Sequence, residues 1–110
     1  MTPVPMTDAE FTGRFLQLLK NRLGGKAPPP DLLALEEMGP TAWNEPQFRE
    51  LARRLLRQLP PPPHPLPGSC TYIVGGRTFC IRDVSPSDCA MLAGAFSESN
   101  ACDPALPPYP

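Results

Sequence analysis

The sequence contains a single histidine, His64, and its four cysteines are widely spaced. Structural zinc sites usually bring thiolates together in C-x2–4-C pairs, because one tight turn can present both sulfurs. Here nine, eight and twelve residues separate successive cysteines, and the histidine lies in a proline-rich segment. The sequence therefore predicts no metal site, no cofactor and no imidazole-based catalytic centre.

Other features of active, membrane-bound or nucleic-acid-binding proteins are also lacking. Paired carboxylates, a Ser/His/Asp set and a phosphate-binding glycine loop do not occur, so we expect a protein without enzymatic activity. No apolar run is long enough to span a bilayer, and we expect no membrane partner. Residues 1–7 carry no basic region followed by an apolar core, so we expect no secretory signal and a cytoplasmic location. The net charge of −1 makes nucleic acid an unlikely partner.

Proline is abundant and clustered, with eighteen residues concentrated at 28–30, 60–67 and 104–110. Residues 60–67 predict a polyproline II strap between two folded parts. The same segment has the P-x-x-P spacing that SH3-type domains bind, so recognition by another protein is an alternative to a strap.

The segment that follows the strap predicts a β-hairpin. Residues 70–74 and 77–81 are rich in β-branched and aromatic side chains and flank Gly75-Gly76, which suits a two-residue turn. In that register Val74 lies opposite Arg77. One face then carries the more apolar set and should be buried, namely Cys70, Tyr72, Val74, Phe79 and Ile81.

The four cysteines allow two interpretations. Cys70 and Cys80 point to opposite faces of the predicted hairpin, so a bridge between them is unfavourable. If disulfides form, the register favours Cys70–Cys89 and Cys80–Cys102. Alternatively, all four are reduced and buried as small apolar side chains.

Helices are predicted on both sides of this segment. Ser85 as N-cap and Pro86 at the first position predict a C-terminal helix with an apolar stripe at Cys89, Leu92, Ala93 and Phe96. Before the strap, the patterns predict helices over 8–23, 31–38 and about 44–59. Asp31 and Asn44 are the predicted caps of the second and third helices.

These elements predict an α+β fold of two or three N-terminal amphipathic helices, a polyproline strap, a β-hairpin and one C-terminal helix. We expect one small domain over residues 1–110. Its parts are a helical part at 7–59, the strap at 60–68, a cysteine-containing hairpin–helix at 69–102 and an extended tail at 103–110.

The predicted function is an accessory or interaction protein that binds another protein or itself through an exposed apolar helix face. The two candidate faces are Phe11/Phe15/Leu19 and Phe48/Leu55/Leu59. One alternative is a disulfide-stabilised effector or inhibitor that is exported without a cleaved signal. Another is a small nucleic-acid-binding regulator that uses the row Arg49/Arg53/Arg57.

Overall fold

The computed structural model describes residues 2–60, 67–107 and 109, and its architecture is the predicted α+β class. The chain divides into two compact units. We call Asp8–Pro60 the helical unit, and Met1–Thr7 together with Pro61–Tyr109 the sheet unit. Residues 61–66, which include the lone histidine and most of the segment 60–67 predicted to be polyproline II, lie outside the described residues. The expectation of a single domain stays a prediction.

The helical unit contains three α-helices and a short 3₁₀ turn. Their bounds are α1 (Asp8–Leu23), α2 (Pro30–Glu37), the 3₁₀ turn (Ala42–Asn44) and α3 (Pro46–Gln58). The predicted bounds of α1 are confirmed. Its first turn carries acidic residues and its last turn carries basic ones, an arrangement that the helix dipole favours.

The predicted caps of α2 and α3 are wrong. Pro29 and Glu45 occupy the N-cap positions, and neither makes a side-chain capping bond. In each case a proline follows at the first helical position, where its fixed φ suits the helix and its missing N–H is not needed. The proline therefore decides the start of the helix, although Asp31 and Asn44 are good capping residues.

Aromatic side chains form the core of the helical unit. The rings of Phe11 and Phe15 stack at 5.5 Å between centroids, and Phe15 reaches Phe48 on α3 at 6.4 Å. Trp43, on the 3₁₀ turn, meets Phe11 edge to face at 5.3 Å. These four side chains link α1, the turn and α3 through contacts of the kind that dominate small cores.

The sheet unit contains an antiparallel sheet of order β2-β1-β3. Its elements are β1 (Gly68–Val74), β2 (Arg77–Val84), α4 (Pro86–Met91) and β3 (Ala95–Ser97). The predicted hairpin register is confirmed, because Val74 pairs with Arg77 and Tyr72 with Phe79. Gly75 and Gly76 have φ values of 58° and 80°, which fit the primed turn that such hairpins use.

The predicted buried face of the hairpin is also confirmed. All five of its members are buried, and the ring of Tyr72 lies 6.1 Å from that of Phe79 across the strand pair. On the opposite face Thr71, Ile73 and Thr78 are half-buried, and Cys80 is buried. The alternation of the sequence thus corresponds to the pleat of the sheet.

The predicted apolar stripe of the C-terminal helix is wrong in its second half. Ser85 and Pro86 begin α4 as predicted, but the helix ends at Met91. Ala93 has a φ of +52°, and Phe96 lies on β3, where it pairs with Cys70 of β1. The chain leaves the helix because the third strand hydrogen-bonds to the free edge of β1, which a longer helix would leave unpaired.

Two terminal segments, neither expected to pair with the sheet, belong to the sheet unit. The N–H of Met6 donates to the carbonyl of Ile73 at 2.9 Å, and the N–H of Gly75 donates to the carbonyl of Met6 at 3.1 Å. Near the C-terminus, Tyr109 is buried and its N–H donates to the carbonyl of Cys80 at 3.4 Å. Among the described residues, no helix has the length and apolar content needed to cross a bilayer.

Candidate protein-binding surface

The partner-binding prediction depends on an exposed helix face, and the structure does not provide it at the expected positions. The six side chains of the two candidate faces are all buried: Phe11, Phe15, Leu19, Phe48, Leu55 and Leu59. They are buried because their rings and branched chains pack as the hydrophobic core. The expectation that one of these faces is exposed is therefore wrong.

Large apolar side chains that do reach solvent are few in the part of the chain that the structure describes. Val4 in the N-terminal segment is 62% exposed, and Leu33 on α2 is 47% exposed. Isolated exposed apolar residues are normal in folded proteins. Leu33 belongs to the lining of a pocket.

The pocket has a volume of about 380 Å³ and lies in the helical unit, between the end of α1, the loop after it and α2. Leu23 and Leu32 are buried in its floor, and Leu33 stands at its rim. The other lining residues are Lys20, Gly25, Lys26, Pro28 and Glu36. The lining therefore combines apolar side chains with three charged groups.

The pocket carries more positive than negative charge. Lys20 Nζ lies 2.9 Å from Glu36 Oε1, and both side chains remain partly exposed, so this pair contributes little to stability. Lys26, in the loop after α1, is exposed and adds a second cation. With two lysines and one glutamate, the lining carries a formal net charge of +1.

An ion pair fixes the helix that carries Leu33. The Arg54 guanidinium on α3 donates Nε–H to Asp31 Oδ2 at 2.9 Å and Nη2–H to Oδ1 at 3.0 Å. This two-point hydrogen bond holds the pKa of Asp31 below its usual value. The lowered pKa contributes stability at neutral pH, which is lost as the pH falls through the pKa of the folded state.

The arginine row of α3 is partly neutralised. Arg53 Nη1 lies 3.2 Å from Glu50 Oε2, and the neighbouring Arg54 is bound to Asp31. Of the predicted row, Arg49 is half-buried and Arg57 is exposed. The helical unit contains eight basic and seven acidic residues. These charges therefore give little support to a continuous basic surface that contacts nucleic-acid phosphates.

The cysteines pair in the combination that the hairpin register favours. Cys70 is bonded to Cys89, with Cα atoms 5.4 Å apart, and Cys80 to Cys102, with Cα atoms 5.8 Å apart. Both Cα distances lie in the usual range for disulfides. In the described part of the chain, no group of three histidine, cysteine or acidic residues is placed to hold a metal ion.

The pocket was missed by reasoning from the sequence, although a signal for it exists. Leu32 and Leu33 are adjacent in α2. Successive residues of a helix point about 100° apart, so two adjacent leucines cannot both lie on a narrow buried face. The packing of α2 determines which of the two is exposed.

No family model, curated protein or solved structure matches this chain.

Proposed function

We propose that this chain is a small, non-enzymatic interaction protein that binds an acidic, apolar segment of another protein at the pocket between α1 and α2. The observation that carries the proposal is Leu33, a large apolar side chain that is 47% exposed at the rim of a pocket lined by two lysines. An apolar anchor on the ligand would bury Leu33, and an adjacent carboxylate would meet Lys26.

The chemistry of the partner follows from the lining. Leu23, Leu32 and Pro28 offer an apolar surface for a branched or aromatic side chain. Lys20 is engaged with Glu36, so Lys26 is the cation that the proposal assigns to an incoming carboxylate. A basic segment is disfavoured, because it would bring like charges together at the rim.

A peptide-display selection tests this proposal. The wild-type protein is used as bait, and the enriched peptides are measured against Leu33→Asp and Lys26→Glu. We expect peptides that combine Asp or Glu with a large apolar residue, and we expect their affinity to fall roughly tenfold or more for Leu33→Asp, a loss typical of an anchor residue.

Val4→Asp is the matched control, since Val4 is a large apolar side chain that is also highly exposed and belongs to the sheet unit. It should bind the selected peptides as the wild type does. Peptides without acidic residues, or equal binding to the wild type and Leu33→Asp, would contradict the proposal.

A second candidate, the exported disulfide-stabilised effector or inhibitor, is favoured by the two cysteine pairs. Disulfides persist mainly in oxidising compartments, and small domains there use them in place of a large core. This candidate concerns where the protein acts and is compatible with the same pocket. Thiol counting under denaturing conditions, on protein from its native source, tests it: no free thiols supports export, and four free thiols rejects it.

A further inference from the structure

The two disulfides differ in how well the protein covers them. Cys70 is 0% exposed and Cys89 is 1% exposed, whereas Cys102 is half-buried in the segment that follows β3. Attack on a disulfide requires a thiolate to approach one of its sulfurs. The two bridges therefore differ in solvent access, because only Cys80–Cys102 contains a partly exposed cysteine.

The backbone at Gly94 helps to cover the first bridge. A Cβ atom placed on Gly94 would overlap Cys70 Sγ and would lie 3.2 Å from Cys89 Sγ. The chain thus passes directly over these two sulfurs. This bridge also joins β1 to α4, so breaking it would require movement of both elements.

The second bridge, Cys80–Cys102, attaches a segment without regular secondary structure to β2. Cys102 belongs to a C-terminal tail, residues 101–109, that contains no helix or strand in its described part. The tail meets β2, an edge strand of the sheet, at Cys80. Tyr109 donates its N–H to Cys80 at 3.4 Å and packs edge to face on Phe79, with 6.1 Å between ring centroids.

A side-chain pair marks where this tail begins. Asn100 Nδ2 donates to Asp83 Oδ1 at 2.7 Å, and the Asp83 N–H donates to Asn100 Oδ1 at 2.9 Å. These two bonds attach Asn100 to the end of β2 without help from the disulfide. Release of Cys102 would therefore free the chain only beyond this residue.

We propose that Cys80–Cys102 is a reducible site that a dithiol reductant opens selectively, while Cys70–Cys89 remains closed. The attacking thiolate bonds to Cys102 Sγ, the disulfide breaks, and the electron pair leaves on Cys80 Sγ, which takes up a proton. The second thiol of the reductant then displaces Cys102 as a thiol and completes a disulfide in the reductant. The protein gains two electrons and two protons, and the dithiol loses them.

The consequence is a change in surface. Without the bridge, the tail loses its covalent link to β2, so we expect it to detach. Phe79, which is 3% exposed, and the outer edge of β2 then become accessible. An exposed edge strand beside an aromatic ring is a surface that can pair with another chain.

The test is graded reduction of the full-length oxidised protein with dithiothreitol, followed by alkylation and peptide mapping. We expect alkylated Cys80 and Cys102 to appear at dithiothreitol concentrations at least about tenfold below those that label Cys70 and Cys89. In parallel NMR spectra, contacts between the Tyr109 and Phe79 rings should disappear over the same lower range.

The Cys80→Ser/Cys102→Ser double variant provides the control. It should keep the β1–β2 cross-strand contacts of the oxidised protein while lacking the Tyr109–Phe79 contacts. Simultaneous labelling of all four cysteines, or earlier labelling of Cys70 and Cys89, would overturn the proposal. Ring contacts between Tyr109 and Phe79 that survive reduction of Cys102 would overturn its structural consequence.

Discussion

At the scale of the single residue, two glycines differ in the space that surrounds their Cα atoms. Gly94 lies where the backbone passes over the Cys70–Cys89 bridge, and an added Cβ would overlap both Cys70 Sγ and the Thr71 carbonyl. Gly13 lies on the exposed side of α1, and an added Cβ there meets nothing within 4 Å. The same substitution should therefore change stability in opposite directions at the two sites.

We predict that Gly94→Ala lowers the free energy of unfolding of the sheet unit by about 1–3 kcal/mol, because the overlap forces shifts in packed backbone and sulfur atoms. Gly13→Ala should raise the stability of the helical unit by about 0.5–1 kcal/mol, because alanine restricts the unfolded chain and favours the helix. Urea denaturation of the two variants measures both effects. A neutral result for Gly94→Ala would mean that the chain does not pass so close to the bridge.

At the scale of the element, the start of α4 is defined by reciprocal side-chain bonds. Ser85 Oγ accepts the Asp88 N–H at 3.1 Å, and Asp88 Oδ2 accepts the Ser85 N–H at 3.3 Å. Thr41, at the start of the 3₁₀ turn, also occupies an N-cap position, but its side chain makes no capping bond. Serine and threonine are both common N-cap residues, so residue type alone does not show that Ser85 makes a capping bond and Thr41 does not.

Ser85→Ala should lower the free energy of unfolding by about 1 kcal/mol, since it removes the side-chain acceptor of the Asp88 N–H in the first helical turn. The matched change Thr41→Ala should cost less than about 0.5 kcal/mol, because no capping bond is lost. Thermal unfolding followed by circular dichroism compares the two. Equal losses would show that the capping bond at Ser85 contributes no stability of its own.

At the scale of the whole molecule, both disulfides lie in one of the two units. The bridges close segments with sequence separations of 19 and 22 residues, all within the sheet unit. The helical unit contains no cysteine and is held by its aromatic core and by the Asp31–Arg54 pair. The two units therefore depend on different chemistry.

Complete reduction of both bridges should destabilise the sheet unit by roughly 3 kcal/mol per bridge, because each closed loop restricts the unfolded chain. Hydrogen exchange with mass spectrometry measures this effect separately for each unit. Amides of β1 and β2 should lose protection after full reduction, while those of α1 and α3 keep theirs. Equal loss of protection in both sets would contradict this separation.

The sequence by itself determined the elements whose signals are local. The bounds of α1, the hairpin register around Gly75-Gly76, its buried face and the start of α4 at Ser85 follow from turn, capping and periodicity rules. These rules act over a few residues, so they do not depend on the rest of the chain. The register also favoured the cysteine pairing found in the structure, because it assigned Cys70 and Cys80 to opposite faces.

Tertiary structure decided the features that depend on partners distant in sequence. Phe96 follows a helical pattern but forms a strand, because β1 has an open edge that Ala95–Ser97 pairs with. The apolar helix faces that looked like binding surfaces became the core, and Leu33 was left at the rim of a pocket instead. A helical stripe specifies only which side chains avoid water, whereas the packing of neighbouring elements determines which of them are covered.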